Sequence, residues 1–135
     1  MFEKIDHIGV AVKNLENSLH IFRDLLGMEC SGEEIVKDQE VKVAFLPVGE
    51  SEIELLESTS PEGSIAKFIE SRGEGIHHIA FKVKDLESMI SDLQQKGVRL
   101  IDQKPRYGAG GVKIAFLHPK STNGILIELC EHKNQ

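Results

Sequence analysis

The chain has no tryptophan, one tyrosine, two cysteines and four prolines in 135 residues. One Tyr and six Phe leave little from which to build a broad aromatic cleft. Cys30 and Cys130 are too few to staple a disulfide scaffold. No apolar run approaches the roughly 20 residues that a bilayer-spanning helix needs, so no membrane partner is expected. Basic residues are outnumbered, 16 Lys and Arg against 22 Asp and Glu, and they form no run, so no nucleic-acid partner is expected either. The opening MFEKIDHIGV enters an alternating pattern at once and leaves no space for a secretory signal, which predicts reduced thiols and a cytoplasmic location. What is present, 40% hydrophobic and 28% charged residues, is the composition of a globular domain able to bury its own core.

The chain is written twice. Residues 5–16, IDHIGVAVKNLE, align on 76–87, IHHIAFKVKDLE, with seven of twelve positions identical. The same shift of 71 aligns VKVAFL (41–46) on VKIAFL (112–117), and a shift of 74 aligns IELLE (53–57) on IELCE (127–131). Three colinear matches identify a duplicated module. Within each copy the first segment alternates and is rich in β-branched residues, predicting a strand. Asn14 and Asp85 are N-cap candidates. Leu15, Leu19, Phe22, Leu25 and Leu26 recur at helical spacing up to Gly27, as do Leu86, Met89, Ile90 and Leu93 up to Gly97. Three strands are then predicted near 28–36, 41–48 and 52–57, and again near 98–103, 112–118 and 125–131. The unit is βαβββ, used twice. Ser60-Pro61 and the stripe Ile65, Phe68, Ile69 predict a short connecting helix. Gly108, Gly110 and Gly111 mark a turn ahead of a strand, without the features of a phosphate loop.

Alternation assigns faces. With Ile8, Val10 and Val12 under the first helix, His7 points to the other side; His78 does the same in the second copy. Glu54 and Glu128 likewise oppose Ile53 and Leu55, and Ile127 and Leu129. A carboxylate between apolar neighbours needs a partner or a metal. A single His or Glu on a strand is most often surface, but four that coincide under the repeat need a common reason. Two imidazoles and two carboxylates suit a divalent ion with positions left for a bidentate substrate. His77 is expected in a structural role, His20 in the polar part of the first helix, His118 in a turn and His132 in a frayed tail. Cys130 is expected in the core.

Paired βαβββ modules with His, Glu, His and Glu on their first and last strands resemble the vicinal oxygen chelate superfamily of glyoxalase, bleomycin-resistance and dioxygenase-like proteins. Within it, IDHIGVAV, VAFLPVG with IELLE, GIHHIAFKV and above all FLHPKSTNGILIEL are most similar to the methylmalonyl-CoA epimerases, over nearly the whole chain. The resemblance implies an α+β fold, two tandem modules forming a cupped, partly open mixed β-barrel with helices outside. It implies one domain over 1–135, with module one at 1–59, a connecting helix at 60–74 and module two at 75–135. His7, His78 and Glu128 match the metal ligands; Glu54 matches a fourth position that is Gln or Glu in such enzymes. The implied cofactor is a divalent ion (Co, Mn, Zn or Ni), the implied partner an acyl-CoA, and the implied assembly a homodimer.

The implied reaction interconverts the C2 epimers of methylmalonyl-CoA by proton abstraction and return through a metal-stabilised enolate, with Glu128 in a base role besides metal contact. A second carboxylate is implied near residues 40–45. The sequence departs from the pattern there, since the facing positions are Val41, Val43 and Phe45; Glu40 or a bound water are the remaining candidates. Lys104, Arg106 and Lys120 are candidates for contact with the CoA phosphates. The alternatives are a glyoxalase I-type lactoylglutathione lyase, and a non-catalytic drug-sequestering protein of the same fold.

Overall fold

The computed structural model describes residues 2–133. It contains β1 (Phe2–Ala11), α1 (Leu15–Leu19), β2 (Gly32–Val36), β3 (Val41–Val48), β4 (Ser51–Ser58), α2 (Ser64–Arg72), β5 (Gly75–Val83), α3 (Leu86–Gln95), β6 (Arg106–Tyr107), β7 (Lys113–Leu117) and β8 (Ile127–Glu131). The βαβββ order therefore occurs twice, with α2 as the connecting helix, in an α+β chain. Among the described residues no helix is long and apolar enough to cross a membrane.

Two compact units divide the chain inside strands. One is His7–His77; the other joins the residues up to Asp6 to those from His78 onward. In the first, the strands lie in the order β2-β3-β4-β1, with β1 parallel to β4 and the other pairs antiparallel. In the second, the order is β5-β8-β7-β6, with β5 parallel to β8 and β1 beside β5. Each sheet is thus mixed, as the repeat demands.

The cores repeat residue for residue. Val12, Leu15, Leu19, Ala44, Leu46 and Leu55 form one buried cluster. Val83, Leu86, Ile90, Ala115, Leu117 and Leu129 form the other, joined by Leu100. Every member of the first has its repeat mate in the second. Each Val, Leu or Ile among them stabilises its unit by about 1.5–3 kcal/mol on burial.

Helix starts repeat as well. Asn14 accepts from the Asn17 N–H at 2.8 Å, and Asp85 from the Ser88 N–H at 3.1 Å and its hydroxyl at 3.0 Å. The last carboxylate of each copy completes the cap: Glu57 accepts from the Leu15 N–H at 2.7 Å, and Glu131 from the Leu86 N–H at 2.9 Å. Amides in the first turn have no partner within the helix, and the positive end of the helix dipole favours a carboxylate there.

Two predicted elements differ. The first helix runs on from α1 as a π-helix over His20–Leu25, with the Leu26 N–H reaching the Ile21 carbonyl at 2.9 Å. From Asn14 to Gly27 there is one residue more than from Asp85 to Gly97, and the wide turn absorbs it. The apolar stripe is rotated as a result: Leu25 and Leu26, expected against the core, are 67% and 64% exposed. The strand predicted over 98–103 contributes only a bridge, Leu100 to Leu117. There the Asp102 carboxylate accepts from the Phe116 N–H at 2.8 Å, taking the place of a backbone carbonyl, and Pro105 follows without an N–H to donate. The short strand β6 forms beyond it.

Replacing Glu131 by Ala should cost about 1–2 kcal/mol in urea unfolding, with the loss localised to amide exchange at the start of α3. Hydrogen bonds from the Ser88 N–H and then its hydroxyl hold the Asp85 carboxyl below the ordinary carboxylate value. Its contribution is therefore present above about pH 4, the unfolded value, and is lost as pH falls through the lower folded value. The stability difference between the wild type and Asp85→Asn should accordingly shrink between pH 6 and pH 2.

Candidate functional site

Each unit carries one buried His–Glu pair, built in the same way. In the parallel ladder of β1 and β4, Gly9 stands beside Glu54, and in that of β5 and β8, Ala80 stands beside Glu128. Both neighbours are small and buried, so neither fills the space over the carboxylate. The histidine two residues earlier on the same face occupies it. His7 Nδ1 lies 3.4 Å from Glu54 Oε2, and His78 Nε2 lies 3.1 Å from Glu128 Oε1. All four residues are 5–7% exposed.

A buried carboxylate is costly unless partnered. Here an imidazole supplies the partner in each unit. Imidazole nitrogens and carboxylate oxygens are also the donors that divalent ions of the zinc and manganese type accept. The four residues singled out by the repeat are thus placed as two pairs: His7 with Glu54, and His78 with Glu128.

The surroundings of the two pairs differ. Phe116 stands edge-on to the His78 ring at 5.7 Å, and the Arg106 guanidinium lies 5.5 Å over Phe116 while pairing with Asp102 at 3.0 Å. In the other unit Phe45 is the cross-strand neighbour of Glu54, and Val41 and Val43 on the same face are buried. β3 brings no carboxylate to that face. Glu40 is exposed at the strand entrance in the left-handed conformation, and its carbonyl holds the Thr59 N–H.

The remaining histidines are accounted for. His20 pairs with Asp24 on the exposed helix surface. His77 packs edge-on against Phe68 at 5.0 Å. His118 caps a turn, accepting from the Lys120 N–H at 3.1 Å; desolvation, then Arg99 and Lys120, hold its pKa below the ordinary value. His132 corrects the expectation of a frayed tail, since its Nε2 lies 2.6 Å from Asp6 Oδ1. Cys130 is in the core, as expected. Lys104 and Lys120 are exposed and Arg106 is engaged with Asp102. Sequence reasoning missed Glu57 and Glu131 as helix caps, although their coincidence under the repeat was a signal.

Residues 6–116 match the profile of the Glyoxalase/Bleomycin resistance protein/Dioxygenase superfamily. The uncharacterized protein YqjC of Bacillus subtilis is 41% identical over 130 residues, covering 96% of this chain and 93% of that protein. The ethylmalonyl-CoA/methylmalonyl-CoA epimerase of Cereibacter sphaeroides is 35% identical over 131 residues, covering 96% and 98%. A solved methylmalonyl-CoA epimerase in complex with methylmalonyl-CoA and NH4+ superposes with a TM-score of 0.95 at 36% identity, covering 99% of this chain and 97% of that one.

In chelator-treated protein, His78→Leu should destabilise by about 1–3 kcal/mol by removing one partner of the buried Glu128, and His78→Leu with Glu128→Leu should recover most of that loss. Urea midpoints of the single and double variants give the comparison, and an additive double variant would contradict it.

Proposed function

Because the chain belongs to the Glyoxalase/Bleomycin resistance protein/Dioxygenase superfamily, we propose that it is a divalent-metal-dependent epimerase acting on methylmalonyl-CoA. The observation that carries this reading is the buried His–Glu pair present once per module. The epimerase likenesses, which span nearly the full chain, support the substrate. In this reading the modules 1–59 and 75–135, joined by 60–74, work as one domain. His7, Glu54, His78 and Glu128 together hold one ion, of the Co, Mn, Zn or Ni type. The acyl-CoA is the partner, and the protein is a cytoplasmic homodimer.

The donor set fits such an ion. When bound, it would offset the negative charge that develops on the thioester oxygen as the C2 proton leaves. Glu128 takes that proton, oriented by its contact with His78 Nε2 at 3.1 Å. Phe116, beside His78, helps to exclude water from the carbon that loses it. Inversion also needs a proton delivered to the opposite face. β3 offers only Val41, Val43 and Phe45 there, so that proton comes from another group or from water.

The apolar β3 face favours a second reading. Moving a proton between neighbouring carbons on one face of a substrate needs one carboxylate rather than two, which is the demand of a glyoxalase I-type lactoylglutathione lyase. A protein of Synechocystis called a probable lactoylglutathione lyase is 29% identical over 126 residues.

Metal-loaded protein in deuterium oxide should place solvent deuterium at C2 of methylmalonyl-CoA. Chelation should stop the exchange, and Glu128→Gln should lower its rate by about 10²–10⁴-fold. Absence of exchange with metal restored would reject the epimerase reading, and turnover of the methylglyoxal–glutathione hemithioacetal in its place would establish the second.

A further inference from the structure

The second unit contains a cluster that the proposed reaction does not use. Asp6 from β1, Cys130 from β8 and His132 just beyond β8 each offer one donor atom, and these atoms lie within 4.8 Å of one another. All three belong to the same compact unit. We infer that they form a second, thiolate-containing site for a divalent ion of the zinc class, separate from the His–Glu pairs.

Three observations carry the inference. First, the donors come from positions far apart in sequence. Asp6 and His132, 126 residues apart, already meet at 2.6 Å. Second, the donor set is mixed: a sulfur, an imidazole and a carboxylate. Thiolate and imidazole together select zinc-class ions over magnesium or calcium, which take oxygen. Three protein ligands leave a fourth tetrahedral position for water. Bond lengths of about 2.0–2.3 Å put tetrahedral donors roughly 3.3–3.8 Å apart, so rotation of the side chains is enough to accept the ion. Third, one donor is buried and another is accessible. Cys130 is 1% exposed within the cluster of Ile114 and Phe116, and its thiol donates weakly to the Phe81 carbonyl at 3.5 Å. The His132 side chain is 39% exposed and lines an open cavity of about 540 Å³. Lys84, Lys113 and Lys133 line the cavity too, opposed by Asp85, Glu87 and Glu131, so the approach to His132 is close to charge-neutral. Binding replaces the thiol proton, which leaves to solvent, and trades the Asp6–His132 contact for two bonds to one ion.

Cobalt(II) is the probe, because a thiolate-to-cobalt charge-transfer band can arise only where sulfur is a ligand. The His–Glu pairs contain none, so the band reports this site whatever the fate of the proposed epimerase centre. Titration of the chelator-treated full chain should bring the band to saturation at one equivalent of sulfur-ligated metal. It should persist in Cys30→Ser and vanish in Cys130→Ser. His132→Gln, whose amide can still donate to Asp6, should leave the chain folded and weaken binding at least tenfold, since losing even a residue that only supports a ligand costs about 10–100-fold. No band in the wild type, a band lost with Cys30→Ser, or unchanged affinity in His132→Gln would each overturn the assignment.

Discussion

Burying a carboxylate in the middle of a strand costs several kcal/mol unless something meets it. This chain does so twice, at Glu54 and Glu128, and each unit meets the cost internally with its own histidine. Much of the local design follows. In both units the strand that carries the Glu runs parallel to the one that carries the His, and the His lies two residues before the Glu's neighbour. That neighbour must be small, and it is Gly9 in one unit and Ala80 in the other. The opposite face of the same strands is then free to be aliphatic, and Leu55 and Leu129 sit at the centre of the two cores. The next polar residue along, Glu57 or Glu131, reaches the start of the helix and fixes it over that core. One short strand thus supplies site, core and cap within the spans Glu54 to Glu57 and Glu128 to Glu131.

The duplicated halves have not stayed alike. His78 has an aromatic wall in Phe116, with Arg106 stacked over it and Asp102 holding Arg106. Phe45 and Phe116 themselves keep the same place, each the cross-strand neighbour of its unit's Glu, so the difference lies in the Arg106–Asp102 pair beyond Phe116.

Alternation was enough to place His7, Glu54, His78 and Glu128, because strands buried on one face obey a strict period of two and the repeat supplied each face twice. Caps and helix-ending glycines were legible for the same reason: Asn14, Asp85, Gly27 and Gly97 act through their own local geometry. The misreadings share the opposite cause. The π-turn turns on a single inserted residue, to which helical spacing is nearly blind over two turns. The segment 98–103 has strand-like composition, and it is a side chain, Asp102, that takes the place of the ladder. His132 has no periodicity to report it, since its partner is at the other end of the chain.

The boundary between the units inside β1 has a consequence for the order of folding. The unit His7–His77 is one unbroken stretch, and on the ribosome it can close as soon as it has emerged. The other joins Phe2–Asp6 to the residues from His78 onward, β8 among them, with the whole of the first unit between. Its closure carries a loop entropy set by the 126 residues that separate Asp6 from His132. Phe2–Asp6 can therefore take up these contacts only after the residues between have been made, and the Asp6–His132 contact marks the closing of that unit.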